Sequence, residues 1–446
     1  MIDLEKNKSF CPYMFKGALI QGEGNKGHVT PCCRYDWKYS NPNRRANIKD
    51  SYTSYWREER KKMVKGQPVE GCWKCIEQES DGNHSMRTKA LKSYKFDIND
   101  HDGFRGPYGL IDDILTKRLE YLEIETGRYC NLKCRSCGPS LSSSWDEDVK
   151  SNEQVIENFF SGNKDKMDSI YSAPNINETI ANMNYDECKY LKELKVTGGE
   201  PFLSEPFLQF LSNLVDWDLA KNIKMEIFTN SSFFPKEKFR KLLPEFKSTF
   251  INLSLDGIGS KAEFLRKKSK WPIVEKVSKF WEEMVLENKN VYLCISHTLT
   301  IFNVLYYKEF HTWVHSHFDK KVFDPANHNV AGDMIHFGVA SGPDYLAIRN
   351  FSKPIRDKLL EKVKKDHREL ENYISTVEQN RLTSYASVRS NYGRIIRTLQ
   401  GSKEVINTSH KKTVDDIFLQ KTKMFDEIRQ ENWKEVFPEL AEVFNE

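Results

Sequence analysis

Residues Tyr121–Trp145 read YLEIETGRYCNLKCRSCGPSLSSSW. The apolar-rich run Leu119–Glu125 predicts a strand, and Cys130, Cys134 and Cys137 follow it as a C-x3-C-x2-C triplet. A short loop at a strand's C-terminal end lets three side chains converge on one point. Three thiolates satisfy three irons of a [4Fe-4S] cluster and leave the fourth open, as a catalytic metal keeps a position open for its substrate. Zinc would want a fourth ligand close by, and Gly138–Trp145 offers no Cys or His. Three unrelated buried thiols are the other alternative.

The surroundings fit a metal-bearing intracellular protein. The chain has 446 residues, room for roughly three domains at ~150 residues each. Lys+Arg 68 against Asp+Glu 64 gives a net charge of +4, which excludes a general polyanion binder though not a local basic groove. No apolar run approaches the ~18 residues of a membrane span, and the first residues lack the apolar stretch of a secretory signal. The expectation is a soluble, cytoplasmic protein with no membrane partner. In a reducing cytosol, ten cysteines, eight of them before residue 138, point to metal ligands rather than disulfides.

Three regions separate by texture. Residues 1–100 hold five cysteines and loop signals (Gly22, Gly24, Gly27, Asn41-Pro42), with a predicted helix over Tyr52–Val64. Residues 115–340 alternate strands and helices. The strands are Leu119–Glu125, Leu194–Thr197, Lys224–Thr229, Phe250–Leu255, Val291–Leu299 and Met334–Val339. One helix begins after Ser204, a predicted N-cap with Pro206 in the first turn; others cover Pro272–Leu286 and Leu305–His317. Such alternation predicts an α/β fold of parallel βαβ units, an open barrel or a doubly wound sheet. Residues 345–446 read as helical, over Lys353–Val377 and Asp415–Glu446.

The triplet resembles the cluster-binding loop of the radical SAM superfamily. Val196–Pro201, VTGGEP, is similar to that family's Gly-Gly-Glu motif. The resemblance implies a partial (β/α)6 TIM-like barrel holding a [4Fe-4S] cluster and S-adenosylmethionine (SAM). It implies that Gly198 and Gly199 let backbone approach the ligand and that Glu200 accepts a hydrogen bond from its ammonium. Asn230, in IKMEIFTN, and Ser254 and Asp256, in LSLDG, resemble ribose or methionine contacts. Arg266 looks like the carboxylate-binding arginine, and Asn303 like a backbone contact near the adenine. Turn formers and solvated charges would explain these residues too. Ser136 stands where the family often has an aromatic residue or Met beside the adenine, so adenine contact there should be weaker.

The amino-terminal cysteines extend the resemblance. Cys11, Gly27-x4-Cys32 and the C-x2-C pair Cys72/Cys75 look like the auxiliary-cluster signature of SPASM and twitch domains, here placed before the barrel. This implies a second, fully ligated [4Fe-4S] cluster on Cys11, Cys32, Cys72 and Cys75, with Cys33 a substitute for Cys32. A four-cysteine zinc site is the alternative. Cys188 and Cys294 read as core residues, and His311, His315 and His317 as one solvated helix face.

By resemblance, the enzyme reductively cleaves SAM to methionine and a 5′-deoxyadenosyl radical, which takes hydrogen from a substrate. An external donor such as flavodoxin or ferredoxin would supply the electron. Relatives with auxiliary modules imply a peptide or protein substrate; a small sugar or nucleotide derivative is the alternative. A zinc-stabilised nucleic-acid-binding protein, using the basic runs Arg266–Lys270 and Lys362–Lys365, is a remote one.

Overall fold

The computed structural model describes residues 7–21, 28–39, 54–80, 85–93, 119–160, 176–323, 335–340, 342–377, 382–401 and 413–444. Gly22, Gly24, Gly27, Asn41, Pro42 and Met334 lie outside them. The strands are β1 Gly17–Gln21, β2 His28–Thr30, β3 Tyr121–Glu125, β4 Lys133–Cys134 and β5 Glu193–Thr197. Then follow β6 Lys224–Thr229, β7 Ser248–Ser254, β8 Arg266–Lys267, β9 Val291–Leu299 and β10 Ile335–Val339.

Eight of these form one sheet in the order β10-β9-β7-β6-β5-β3-β1-β2. The six strands β3 to β10 in it are all parallel. Each lies beside its predecessor, so the winding never reverses. A doubly wound sheet would reverse at a switch point, so the order selects the barrel-type wall. Among the described residues the wall stays open, with β10 and β2 as its edges.

Alternation along the strands explains the two faces. On β9, Val291, Leu293, Ile295 and Leu299 are buried, while Tyr292, Cys294, Ser296 and Thr298 are half-buried. The apolar set joins the main core with Leu122, Leu194, Ile227 and Ile251 from neighbouring strands. Helices cover that face. Ser204 caps the helix Glu205–Asp216 by accepting from the Phe207 N–H at 3.3 Å. That helix buries Phe207, Phe210, Leu211 and Leu214. Trp271–Glu287 and Tyr307–His317 pack on the same core.

The amino-terminal region is not separate from the sheet. β1 pairs in parallel with β3, and β2 pairs antiparallel with β1. The predicted helix there runs Ser54–Val64.

The carboxy-terminal region departs from expectation in two ways. A helix at Leu382–Gln400 was not read from the sequence. The helical stretch expected over Asp415–Glu446 is divided into three helices, Val414–Arg429, Trp433–Val436 and Pro438–Phe444. The first ends because Gln430 adopts φ 52°, a left-handed stop. Asp426 then accepts from the Trp433 N–H at 2.8 Å, starting the next turn. Phe418, Trp433, Phe437 and Phe444 press the short helices onto Phe302 and Phe351.

Candidate active site at the strand ends

The triplet loop leaves β3 and is folded back by the serines that follow it. The Ser144 hydroxyl donates to the Cys130 carbonyl at 2.9 Å, and the Ser143 hydroxyl accepts from the Cys130 N–H at 3.2 Å. Cys130 and Cys134 are buried around Leu132, with Cys137 packed against them. The two-residue β4 pairs with β8, which sets Cys134 opposite Arg266.

Arg266 donates to Asp256 at 2.6 Å, while its Nε is buried and has no hydrogen-bond partner. The Cys137 thiol is held below its usual range by a hydrogen bond from Cys134, with the nearby guanidinium of Arg266 acting in the same direction. Burial pushes the Cys130 thiol up to about 11.

Among the described residues, no three His, Cys, Asp or Glu side chains are gathered tightly enough to hold a single metal ion. A four-iron cube attaches each thiolate to a different iron, and so takes a wider triangle of ligands. The three thiols around Leu132, with a cation beside two of them, supply the donor set that such a cube takes. The unsatisfied Arg266 Nε is a donor suited to a ligand carboxylate.

The Gly-Gly-Glu edge packs against this loop. The Gly199 N–H donates to the Gly127 carbonyl at 2.7 Å, and the Glu200 N–H to the Tyr129 carbonyl at 2.9 Å. A Cβ on Gly199 would lie 2.3 Å from the Tyr129 carbonyl oxygen. Gly198 has φ 125°, where a Cβ would also meet Thr126. These glycines are thus required by contact between two loops.

Glu200 is 1% exposed, and its carboxylate accepts from the Thr229 hydroxyl at 2.9 Å, the Asn230 N–H at 2.7 Å and the Phe202 N–H at 3.3 Å. It ties the end of β5 to the end of β6. Burial raises its pKa to about 7 in spite of those donors.

The remaining candidates converge on the same end of the sheet. Asn230 Nδ2 lies 3.7 Å from Cys130 Sγ and donates to Asn131 at 2.9 Å. Asn303 donates to the carbonyls of Asp256 and Thr298, at 2.8 and 2.9 Å, stitching β7 to β9. Asp256 accepts from the Thr298 N–H at 3.0 Å. Ser254 closes β7, half-buried.

The amino-terminal cysteines form a second group. Burial pushes the Cys72 thiol up, and nearby Cys11, Cys32 and Cys75 push it further. Cys33 turns away, lying 3.6 Å from Met86 Sδ and 3.9 Å from Lys195 Nζ. Cys11 and Cys32 share one buried cluster, against which Cys72 packs. Gly27 of the signature lies outside the described residues.

Some expectations are corrected. Cys188 is a core residue, but Cys294 is half-buried on the sheet face away from the helices. The strand period sets it opposite Leu293 and Ile295, an alternation visible in the sequence. His311 is 3% exposed rather than on a solvated face, because it packs against Tyr307 and His315. In the basic runs, Lys267 pairs with Glu431, Lys268 with Glu147 and Lys362 with Glu442.

Sequence reasoning also missed Arg135. Its guanidinium stacks 3.7 Å from the Phe264 ring centroid and pairs with Asp426 and Glu431. Those partners lie almost 300 positions away, which no local pattern reveals.

No family model matches the chain. It is 26% identical over 176 residues to a GTP 3',8-cyclase of Aliarcobacter butzleri (strain RM4018), covering 39% of this chain and 45% of that protein. With a GTP 3',8-cyclase of Campylobacter curvus (strain 525.92) it shares 26% over 152 residues, 34% and 39% of the two chains. The chain thus spans less than half the length of these curated relatives. Among solved structures, anSMEcpe with bound AdoMet superposes at a TM-score of 0.32, with 18% identity over 56% of this chain and 59% of that one. Streptococcus suis SuiB bound to precursor peptide SuiA gives 0.32, with 15% identity over 79% and 69%. These superpositions are too loose to carry an argument. The cysteine triplet, the Gly-Gly-Glu edge packed on it and the similarity to the cyclases together support the radical SAM superfamily for this chain.

Proposed function

We propose that the chain is a radical SAM enzyme whose substrate is a peptide or protein. The observation that carries the radical SAM reading is the convergence of Cys130, Cys134 and Cys137 with Asn230, Asp256 and Arg266 at one end of a singly wound parallel sheet. When bound, a [4Fe-4S] cluster on the three cysteines supplies the electron that cleaves SAM to methionine and a 5′-deoxyadenosyl radical.

The chain's own residues do the rest. The free Nε of Arg266 binds the SAM carboxylate, and Asp256 fixes the guanidinium's angle. The Glu200 carboxylate holds the β5 and β6 ends together and faces the amino group. Ser254 and Asn303 border the place of the ribose and adenine. The buried strand ends keep water and stray hydrogen donors from the reacting atoms.

The second group, Cys11, Cys32, Cys72 and Cys75, supplies four thiolates and so suits a fully ligated auxiliary [4Fe-4S] cluster. An external flavodoxin or ferredoxin would reduce the enzyme, which fits a cytoplasmic setting. Among the described residues no helix is long and apolar enough to cross a membrane.

The similarity to GTP 3',8-cyclases favours a second reading, a nucleotide substrate. Against it stands Glu226 on the face where substrate would enter, an acidic group that repels a triphosphate.

Anaerobically reconstituted protein with dithionite and SAM tests the proposal. It should release 5′-deoxyadenosine, and Cys130→Ala should not. Release by the variant would refute the site. GTP consumption, with no peptide modified, would establish the nucleotide reading instead.

A further inference from the structure

The sheet face away from the helices carries charge where a packed wall would carry apolar side chains. Glu123 on β3, Lys195 on β5 and Glu226 on β6 occupy one register row. Lys195 is committed to Glu123 at 2.7 Å, and Glu123 also accepts from the Tyr121 hydroxyl at 3.0 Å. One ammonium therefore faces two carboxylates. Among the described residues Glu226 has no ion-pair partner of its own; its close contact is the Asn252 amide N–H, donated at 3.3 Å.

Asn252 is the second observation. It is 1% exposed, its N–H is used on Glu226, and its Oδ1 has no hydrogen-bond partner. A buried acceptor without a donor is uncommon, and a bound donor removes the cost. Cys294 stands beside Asn252 in register and remains half-buried, as does Glu226, so the place is reachable from this face. Asn252 lies two residues before Ser254 on the same side of β7, roughly 7 Å deeper at ~3.3 Å per residue. That is below the position assigned to SAM.

We propose that Glu226 and Asn252 form a recognition pair for a substrate ammonium or guanidinium, carried by a lysine or arginine side chain of the peptide. An N–H-rich cation meets the unsatisfied Asn252 Oδ1 and the Glu226 carboxylate together and balances the spare negative charge. The inference rests on the peptide reading above and names the side chain that this reading leaves open.

Binding tests it without turnover. The holoenzyme with SAM and no reductant is titrated by calorimetry with acetyl-Gly-Gly-X-Gly-Gly-amide, where X is lysine, arginine or norleucine. Lysine or arginine should bind roughly ten-fold or more tighter than norleucine, as a charge-assisted pair requires. Equal affinities in wild type overturn the proposal without any variant. Glu226→Gln, checked for folding by circular dichroism, should abolish the preference; a preference retained in the folded variant also overturns it. Free pentylamine should bind more weakly than the lysine peptide, and the reverse order overturns the peptide as carrier. Failure of the radical SAM reading would show separately, as absent 5′-deoxyadenosine from wild type under dithionite.

Discussion

The Arg135 guanidinium, directly after the second cysteine of the triplet, donates to the Asp426 carboxylate at 2.6 Å and so binds the triplet loop to a carboxy-terminal helix. Glu431 accepts from the same nitrogen at 2.7 Å, and Arg135 is only 3% exposed at its side chain. The helix Val414–Arg429 is thereby tied to the loop that carries Cys134 and Cys137.

Arg135→Ala leaves the Asp426 carboxylate without its cation, while Glu431 keeps only Lys267. Breaking a buried pair from one side costs about 3–5 kcal/mol, and the partial exposure of Asp426 and Glu431 argues for the lower figure. Urea denaturation should show a loss of about 3 kcal/mol, and the folded fraction should retain less iron. Unchanged stability would mean that the clamp is solvated.

Gly199→Ala should destabilise by more than about 2 kcal/mol, since the new Cβ meets the Tyr129 carbonyl at 2.3 Å and neither backbone is free to withdraw. SAM affinity, measured by equilibrium dialysis on the folded fraction, should fall as well. Wild-type affinity and stability together would show that the two loops part easily.

Glu200 gives a pH signature. Its folded pKa, about 7, is raised above the unfolded value, so the folded state holds the extra proton. Stability from this group is fully present below the unfolded pKa and is lost as pH rises through about 7. The span is on the order of 3 kcal/mol at ~1.4 kcal/mol per unit. Between pH 5 and 8, without SAM, wild type should lose stability more steeply than Glu200→Gln. Parallel profiles would place the titration elsewhere.

The two cysteine groups predict an iron count. Wild type should bind close to eight irons per chain, four for each cluster. Replacing Cys130, Cys134 and Cys137 by Ala should leave about four, as should Cys72→Ala with Cys75→Ala. Cys33→Ser should change nothing, because Cys33 faces Lys195 and Met86, whereas Cys32→Ser should lose the amino-terminal irons. Stoichiometric zinc in the triple variant would make that group a structural zinc site.

Local chemistry made much of this legible. The alternation in Val291–Leu299, the cap at Ser204 and the spacing of Cys130, Cys134 and Cys137 depend on neighbours within a few residues. What was missed depends on distant partners. Nothing near Arg135 foretells Asp426, and nothing near Gly17 foretells its pairing with Tyr121. The glycines of the Gly-Gly-Glu edge were expected to make room for a ligand; in the fold Gly199 makes room for the Tyr129 backbone and Gly198 for Thr126. A sequence reports that a Cβ is missing, but not what stands in its place.

The parallel pairing of β1 with β3 sets a timetable for synthesis. A chain emerging at roughly 5–20 residues per second exposes Gly17–Gln21 some 5 to 20 seconds before Tyr121–Glu125 appears. During that interval the amino-terminal cysteines have left the ribosome, while the strand that seats β1 beside the wall has not. An early iron or zinc ion bound there meets a half-built support. Cutting the gene near residue 100 would likewise free no self-sufficient module: it would strip β3 of its neighbour and leave a bare, adhesive sheet edge.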